Sequence, residues 1–210
     1  MPAEIIDGRK IADDIRVELK QRVEKLKGKG VTPKLMAILV GEDPAALSYL
    51  RGIAKGCEAV GILTDTVKLP ENVAQEELER KIGELNRDPK CHGIILQLPL
   101  PKHLNSLRAE SAISPDKDVD GTNPVNTGKL LLGEETFFPS TPYGVQELLV
   151  RSGHNPEGKH VVICGRSNIV GKPLMGILVQ KQKGANATVT VCHTGTKDLA
   201  SIARQADILV

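Results

Sequence analysis

Short apolar runs alternate with amphipathic helical patterns along most of this 210-residue chain. The segments "KLMAILVG" (34–41) and "GIILQLPLP" (93–101) have the length and composition of buried strands. Between Arg9 and Lys27, apolar residues recur every three or four positions, which indicates an amphipathic helix. The same patterns predict a helix at 44–60, a strand at 63–70 and a helix at 74–88. Strands and helices that alternate in this way favour a parallel sheet with helices on both faces.

The alternation stops between Pro115 and Pro142, where Pro, Gly, Asp and Asn residues accumulate. This composition predicts a long functional loop that also connects two domains. We expect a new helix to begin in "TPYGVQELLVRSG", with Thr141 as its N-cap and Pro142 at its first helical position. A second series follows, with strands in "HVVICG", "TVTVCH" and "DILV" and helices from about Lys172 and in "KDLASIARQA". We therefore divide the chain into residues 1–140 and 141–210.

The second series of strands and helices is incomplete at Val210, where the last apolar run reaches the end of the sequence. A doubly wound nucleotide-binding domain has about six strands. Three strands are predicted after residue 155. The sequence therefore predicts that the native polypeptide continues beyond Val210.

Composition narrows the classes of function. A net charge of +2 without a dense basic run gives no support for nucleic-acid binding. No apolar run approaches the roughly 18 residues that span a bilayer, and the first residues lack the pattern of a secretion signal. The four cysteines are far apart, each in or beside an apolar segment, which predicts buried, reduced thiols in a cytoplasmic protein. The five histidines are not spaced as metal ligands, so we expect no metal site.

The segment "VVICGRSNIVGKP" (161–173) combines a strand, a glycine turn and the start of a helix. Gly165 and Gly171 allow a close approach of the backbone, and the first amides of the helix are expected to point outward and hold a pyrophosphate. The guanidinium of Arg166 can bind a ribose phosphate through two hydrogen bonds. The spacing G-x-S-x-x-x-G differs from the general dinucleotide fingerprint. An ordinary strand–helix turn with a solvated arginine is therefore an equal alternative from spacing alone.

Three further features carry polar groups for which more than one interpretation is open. Gln97 is the polar side chain of "LQLPLP", at a strand end where α/β folds bind ligands, but it can also be a satisfied core amide. The cluster "DKDVDG" (116–121) places three carboxylates in six residues, for metal binding, for proton transfer or simply as solvated loop surface. Tyr49 can line a cleft with its phenol or pack as an ordinary surface aromatic.

The segments "QLPLP", "PDKDVDG" and "GRSNIVGKP" are highly specific in combination. They stand in family order with "IIDGRKIA", "LVGEDPAALSYL", "CEAVGI", "PSTPYGVQELL" and "TVTVCHTGTKDL", so that nearly the whole chain is covered. With these segments the chain resembles the methylenetetrahydrofolate dehydrogenase/methenyltetrahydrofolate cyclohydrolase family. The resemblance implies an N-terminal three-layer α/β substrate domain. It also implies a following Rossmann-like, doubly wound nucleotide domain, which is incomplete in this chain.

Enzymes of this family oxidise 5,10-methylenetetrahydrofolate with a nicotinamide cofactor, usually NADP, and many then hydrolyse the methenyl product to 10-formyltetrahydrofolate. The resemblance implies that Tyr49 lines the folate cleft and that Gln97 and Asp120 contact the pterin, which makes these three the expected catalytic residues. The implied substrate-binding residues are Tyr49, Gln97, Leu98, Pro99 and Asp120. The implied cofactor-binding residues are Thr141, near the nicotinamide, and Gly165, Arg166, Ser167, Ile169 and Thr194.

One departure from the family pattern concerns the lysine that follows the tyrosine at the fourth position, because Ile53 stands there. Lys55 aligns with a second basic position, two residues further on. On a helix, the fourth residue after Tyr49 lies about 40° from it and the sixth about 240°. Lys55 should therefore point to another face, and Ile53 cannot assist the proton transfers that ring hydrolysis requires.

Two smaller departures affect the cofactor site. Ser140 stands where the family has a cysteine, and "HTGT" (193–196) lacks a basic residue that often follows the histidine. The second departure weakens the case for NADP, whereas Arg166 favours it, so we expect NADP in preference to NAD.

The sequence thus predicts an NADP-dependent methylenetetrahydrofolate dehydrogenase in which cyclohydrolase activity is weak or absent. A fully bifunctional enzyme, with another group in place of the lysine, is one alternative. A noncatalytic folate- or nucleotide-binding relative is another. The expected partners are tetrahydrofolate derivatives and a second copy of the chain in a homodimer, without nucleic acid or membrane.

Overall fold

The computed structural model describes residues 4–210, which form two compact units. Unit A comprises Ala12–Val119, and unit B comprises Asp120–Val210 together with the described residues before Ala12. The domain division at residue 140 stays a prediction.

In chain order the elements are α1 (Gly8–Lys27), β1 (Lys34–Val40), α2 (Pro44–Val60), β2 (Leu63–Leu69), α3 (Gln75–Arg87), β3 (Gly93–Leu96), α4 (Ser106–Ala112), α5 (Pro124–Leu132), α6 (Ser140–Arg151), β4 (His160–Cys164), α7 (Gly171–Leu178), β5 (Thr188–Cys192), α8 (Leu199–Ala203) and β6 (Ile208–Leu209).

Unit A is built on a parallel sheet with β1 at its centre, in the order β2–β1–β3. Successive side chains of β1 point to opposite faces. Ala37 and Leu39 pack with the buried side of α2, whereas Met36, Ile38 and Val40 join a larger cluster that includes residues of α3 and α4. Helices therefore cover both faces, and the predicted three-layer α/β arrangement is confirmed.

Local signals fix both ends of α2. The carboxylate of Asp43 accepts a hydrogen bond of 2.7 Å from the amide of Ala46, and Pro44 occupies the first turn, where no amide partner is needed. Gly61 ends the helix in the left-handed conformation (φ 83°), which a glycine adopts without steric cost. The bounds agree with the prediction for residues 44–60.

Unit B contains a second parallel sheet, in the order β5–β4–β6. Val161 and Ile163 of β4 are buried with Leu174 and Leu178 of α7. Cys164 and Cys192 are neighbours in the strand register, at the carboxyl ends of β4 and β5. The loops after these two strands therefore begin side by side. The α/β class and the parallel strands predicted for this half are confirmed.

Three expectations for the chain path are wrong. Strand β3 ends at Leu96 instead of residue 101, because Pro99 and Pro101 have no amide hydrogen to continue the ladder. The segment 115–142 is not a continuous loop, since it contains α5. Thr141 is not an N-cap: α6 begins at Ser140 with Pro139 at the cap position, and the amide of Tyr143 donates to Pro139 O at 3.1 Å.

The prediction of four buried thiols holds only in part. Cys91 and Cys192 are buried and Cys57 is half-buried, but Cys164 is exposed. Cys164 is the last residue of β4, where the strand emerges from the sheet. All four thiols are free of disulfides.

Within residues 4–210, no helix combines the length and the apolar character that a membrane crossing requires. The same part of the chain contains no cluster of three or more His, Cys, Asp or Glu side chains that could hold a metal ion.

Candidate functional site

Helix α2 presents Tyr49 and Ile53 one turn apart. The side chain of Tyr49 is 56% exposed. Ile53 is half-buried and packs against the apolar cluster of Ala37, Leu39, Ala46 and Leu50. The surface beside the phenol is therefore aliphatic at the position where the family pattern has a lysine.

Lys55 lies on a different side of the same helix. It is exposed and lines a cavity together with Arg51 and Glu58, and neither Tyr49 nor Ile53 contributes to that cavity. The prediction that Lys55 faces away from Tyr49 is confirmed.

Gln97 directly follows β3 at the carboxyl edge of the unit A sheet. Its backbone amide donates to Ile38 O at 2.9 Å, which anchors it beside β1. Its side-chain Nε2 donates to Leu98 O at 2.7 Å, but Oε1 is buried and accepts no hydrogen bond from the described residues. Leu98 packs on the core and Pro99 is exposed. A buried acceptor without a donor costs about 1–3 kcal/mol, so this oxygen is suited to a ligand that brings a donor.

The carboxylates of residues 116–121 differ strongly in environment. Asp116 is exposed, Asp118 is 1% exposed and Asp120 is half-buried. Lys117 O accepts a 2.7 Å hydrogen bond from the amide of Ile94, so this segment continues the sheet beside β3. The interpretation of the whole cluster as solvated loop surface is therefore wrong.

Lys117 has a structural role that the sequence did not suggest. Its Nζ donates to Leu85 O at 3.0 Å and to Asp88 O at 2.7 Å. These carbonyls lie at the end of α3, where a helix leaves acceptors without partners. This lysine therefore caps the end of a helix.

In unit B, the loop after β4 brings Gly165 and Gly171 into close contact. A β-carbon on Gly171 would lie 2.0 Å from Gly165 O, so no other residue type fits there without movement of the backbone. The amide of Gly165 donates to Cys192 O at 2.9 Å. These contacts hold the loop folded over the start of α7.

The first amides of α7 have hydrogen-bond partners within the chain, and the expectation that they bind phosphate stays a prediction. The hydroxyl oxygen of Ser167 accepts from the amides of Val170 and Gly171 at 3.1 and 3.4 Å, and Ser167 O accepts from Lys172 N at 3.1 Å. The amides without a partner in the described chain instead belong to the loop, at residues 166–169. Ser167 thus shapes the loop, and the loop itself presents the donors.

The side chains of this loop are directed to solvent. Arg166 is exposed and has no ion-pair partner among the described residues, and Ile169 is 52% exposed. Sequence reasoning did not single out Lys172, whose Nζ lies 2.7 Å from Asn168 Oδ1. The four-residue spacing of Asn168 and Lys172 could have indicated this contact.

The turn after β5 holds Thr194 beside the loop after β4. His193 N donates to Thr196 Oγ1 at 2.8 Å, and Gly195 N donates to His193 Nδ1 at 3.0 Å. Neutral His193 therefore carries its proton on Nε2. Thr194 is exposed at the top of this turn, and Thr141 is exposed in the first turn of α6.

Comparison with protein families gives two matches that follow each other along the chain. The catalytic domain of tetrahydrofolate dehydrogenase/cyclohydrolase matches residues 6–120, and the NAD(P)-binding domain of the same enzymes matches residues 139–210. The chain belongs to the tetrahydrofolate dehydrogenase/cyclohydrolase family. The family predicted from the sequence is thereby confirmed.

Individual family members are similar over nearly the full chain. The bifunctional protein FolD of Dehalococcoides mccartyi (strain CBDB1) is 54% identical over 211 residues, covering 100% of this chain and 71% of that protein. The crystal structure of the bifunctional enzyme FolD from Campylobacter jejuni has a TM-score of 0.93 and 44% identity, covering 98% of this chain and 72% of the other. The FolD structure from Trypanosoma brucei, complexed with NADP cofactor and an inhibitor, has a TM-score of 0.91 and 41% identity, with coverages of 100% and 72%.

Proposed function

We propose that this protein oxidises 5,10-methylenetetrahydrofolate to 5,10-methenyltetrahydrofolate with NADP, and that it hydrolyses the methenyl product weakly or not at all. Membership in the tetrahydrofolate dehydrogenase/cyclohydrolase family supports the first part. The single observation behind the second part is the contact of Ile53 with the apolar cluster beside Tyr49.

In this proposal, unit A holds the substrate. The buried Oε1 of Gln97 accepts a hydrogen bond from a donor on the pterin, which gives this oxygen the partner it lacks. The exposed ring of Tyr49 offers a face on which the pterin and aminobenzoate rings stack. Leu98 and Pro99 supply apolar contacts. Asp120, the first residue of unit B, is included on the family pattern and would accept a second hydrogen bond from the pterin.

Unit B binds the cofactor in this proposal. The free amides of residues 166–169 and the contact of Gly165 with Gly171 fit a phosphate group that approaches the backbone closely. Arg166 is free to pair with the 2′-phosphate of NADP, which NAD lacks. Ser167 holds the loop, while Ile169, Thr194 and Thr141 contact the rest of the cofactor. When bound, the nicotinamide accepts the hydride from the methylene carbon.

The two activities make different demands on this chain. Loss of a hydride is assisted by the lone pairs of the folate nitrogens, so the protein mainly has to position two rings in contact. Hydrolysis of the methenyl ring instead needs a water to be activated and a proton to be moved. Ile53 cannot take part in either step, because its side chain has no ionisable or hydrogen-bonding group.

A fully bifunctional enzyme is the second candidate, because relatives that are 54% and 49% identical to this chain carry the name bifunctional protein FolD. In that case another group has to take over the role of the lysine. Asp120 is the carboxylate that the family pattern assigns to catalysis, and it is half-buried.

A spectrophotometric assay of the protein distinguishes the two candidates. Cofactor reduction with methylenetetrahydrofolate measures the dehydrogenase, and decay of the methenyl absorbance, corrected for the spontaneous rate, measures the cyclohydrolase. The proposal expects NADP reduction together with methenyl decay close to the spontaneous rate. Fast enzymatic decay would favour the bifunctional candidate, and absence of both reactions would overturn both.

We further propose a substrate domain at residues 1–140, a cofactor domain at 141–210, a homodimeric assembly and a cytoplasmic location. The free thiols of all four cysteines support the location. Sedimentation of the purified protein tests the assembly.

A further inference from the structure

The cavity lined by Lys55, Arg51 and Glu58 lies at the amino edge of the unit A sheet, away from Gln97. It measures about 710 Å³ and is lined by residues that precede or begin β1 and β2, by the end of α1 and by one side of α2. Thr32 lies six residues before Ile38, beside which Gln97 is anchored, and β1 begins at Lys34 within this segment. At about 3.3 Å per residue, roughly 20 Å separate the two edges. This cavity is therefore not the site described above.

The lining is strongly biased toward positive charge. It contains the cations Lys27, Arg51 and Lys55 and a single carboxylate, Glu58. Arg51 and Lys55 are four residues apart on α2, which places them next to each other on one side of the helix. Neither forms an ion pair with any residue between positions 4 and 210, and both are exposed.

Lys27 completes the group from a different helix. Its Nζ lies 3.0 Å from Glu24 Oε1 and would be 2.7 Å from a β-carbon on Gly61. The ammonium group therefore lies at the end of α2, in the same cavity lining as the arginine and lysine of that helix. Cations from two helices thus converge on one volume.

We propose that this cavity is a second binding site, which takes the phosphate groups of a small phosphorylated molecule. The guanidinium fork of Arg51 matches two phosphate oxygens, and Lys55 and Lys27 bind further oxygens as point charges. The hydroxyl groups of Thr32 and Thr64, also in the lining, provide neutral donors. A volume of this size accommodates a small organic molecule.

Two details make a phosphate a better match than a carboxylate or a nucleic acid. A single carboxylate has two oxygens, too few for the two cations without an ion pair, Arg51 and Lys55, together with two hydroxyl groups. A nucleic acid needs an extended basic surface, whereas the chain carries a net charge of +2.

Titration with inorganic pyrophosphate at constant ionic strength, followed by amide nuclear magnetic resonance, tests the proposal. Amides at residues 51–58 and 62–64 should shift in a saturable manner. Shifts at residues 165–171 report any binding at the nucleotide loop separately. Saturable shifts at residues 165–171 alone would overturn the proposal, as would no shift at either place.

Variants make the test specific. The double variant Arg51→Ala/Lys55→Ala should weaken pyrophosphate binding at residues 62–64 by at least about tenfold. The control Lys181→Ala/Lys183→Ala removes the same amount of charge from an exposed turn of unit B. It should change pyrophosphate affinity at residues 62–64 by less than about twofold. Equal weakening by both pairs would show a nonspecific charge effect and overturn the site. Citrate binding as tight as pyrophosphate would overturn the assignment to phosphate.

Discussion

The α-carbon of Gly171 is packed against the carbonyl oxygen of Gly165, and a β-carbon added there would lie 2.0 Å from that oxygen. The contact joins the end of β4 to the first residue of α7. Because backbone is on both sides, neither partner can rotate away as a side chain could. The shape of the loop at residues 166–169 therefore depends on the absence of one methyl group.

Gly171→Ala should consequently destabilise the protein and weaken NADP binding. Overpacking of this kind typically costs about 1–3 kcal/mol, and a displaced loop no longer presents its amides together. Urea unfolding and NADP titration measure the two effects. Gly128→Ala is the matched control, because no atom lies within 4 Å of its added β-carbon in α5. It should stabilise by about 0.5–1 kcal/mol, and equal stability of both variants would contradict the prediction.

Arg166→Ala should raise the KM for NADP by about tenfold or more and leave that for NAD nearly unchanged. A hydrogen bond to a charged group contributes roughly 1.5–3 kcal/mol, and only NADP carries the 2′-phosphate. Steady-state kinetics with both cofactors provide the measurement. Arg166→Lys retains the charge without the planar fork and should give an intermediate KM for NADP. Equal changes for both cofactors would rule out contact with the 2′-phosphate.

Ile53→Lys should accelerate methenyl hydrolysis while changing the dehydrogenase rate less. One positioned acid/base group contributes about 10²–10⁴-fold, and a partial gain is expected because the new amine borders the apolar cluster of Ala37 and Leu39. Decay of the methenyl absorbance gives the rate.

The control for this change is Ile53→Met, which is similar in size to lysine but cannot move a proton. It should stay at the wild-type rate of hydrolysis. Rapid hydrolysis by the wild type that survives both Asp120→Asn and Lys55→Met would show that the proton-transfer group lies elsewhere.

The four cysteines should react with a thiol reagent in a fixed order. Exposed Cys164 should be modified first, and the buried Cys91 and Cys192 should be protected in the folded protein. Burial raises the pKa of the Cys57 thiol, so less of it is the reactive thiolate at neutral pH and it should react slowly. Limited treatment with N-ethylmaleimide and peptide mass spectrometry give the order. Modification of Cys91 as fast as Cys164 would contradict it.

Much of the fold could be predicted because its elements carry strong local signals. The helix at residues 44–60 has a capping aspartate, a proline in its first turn and a glycine at its end, and all three act as expected. The same kinds of signal stand in "NPVNTGKLLLG", where Asn123 caps α5 and Gly133 ends it. This helix was missed because the surrounding Pro, Gly and Asp residues dominate the composition of the segment.

The candidate site was predictable in residue types but not in contacts. The position of Gln97 at a strand end followed from the apolar run before it, whereas the missing partner of its Oε1 depends on neighbours distant in sequence. Likewise, the glycines around Arg166 indicated a tight loop. Ser167 accepts hydrogen bonds from amides at the start of the helix, and the loop amides are left free. This arrangement depends on backbone dihedral angles, which residue spacing does not specify.

The scarcity of aromatic residues has an optical consequence. The chain has no tryptophan and two tyrosines, of which Tyr49 belongs to unit A and Tyr143 to unit B. Both rings are substantially exposed, at 56% and 44%, so each unit carries one solvent-facing fluorophore. A folate analogue that stacks on Tyr49 should quench roughly one of two equal emitters, and Tyr49→Phe should remove that quench while the emission of Tyr143 persists. The protein thus contains a built-in reporter for each of its two units.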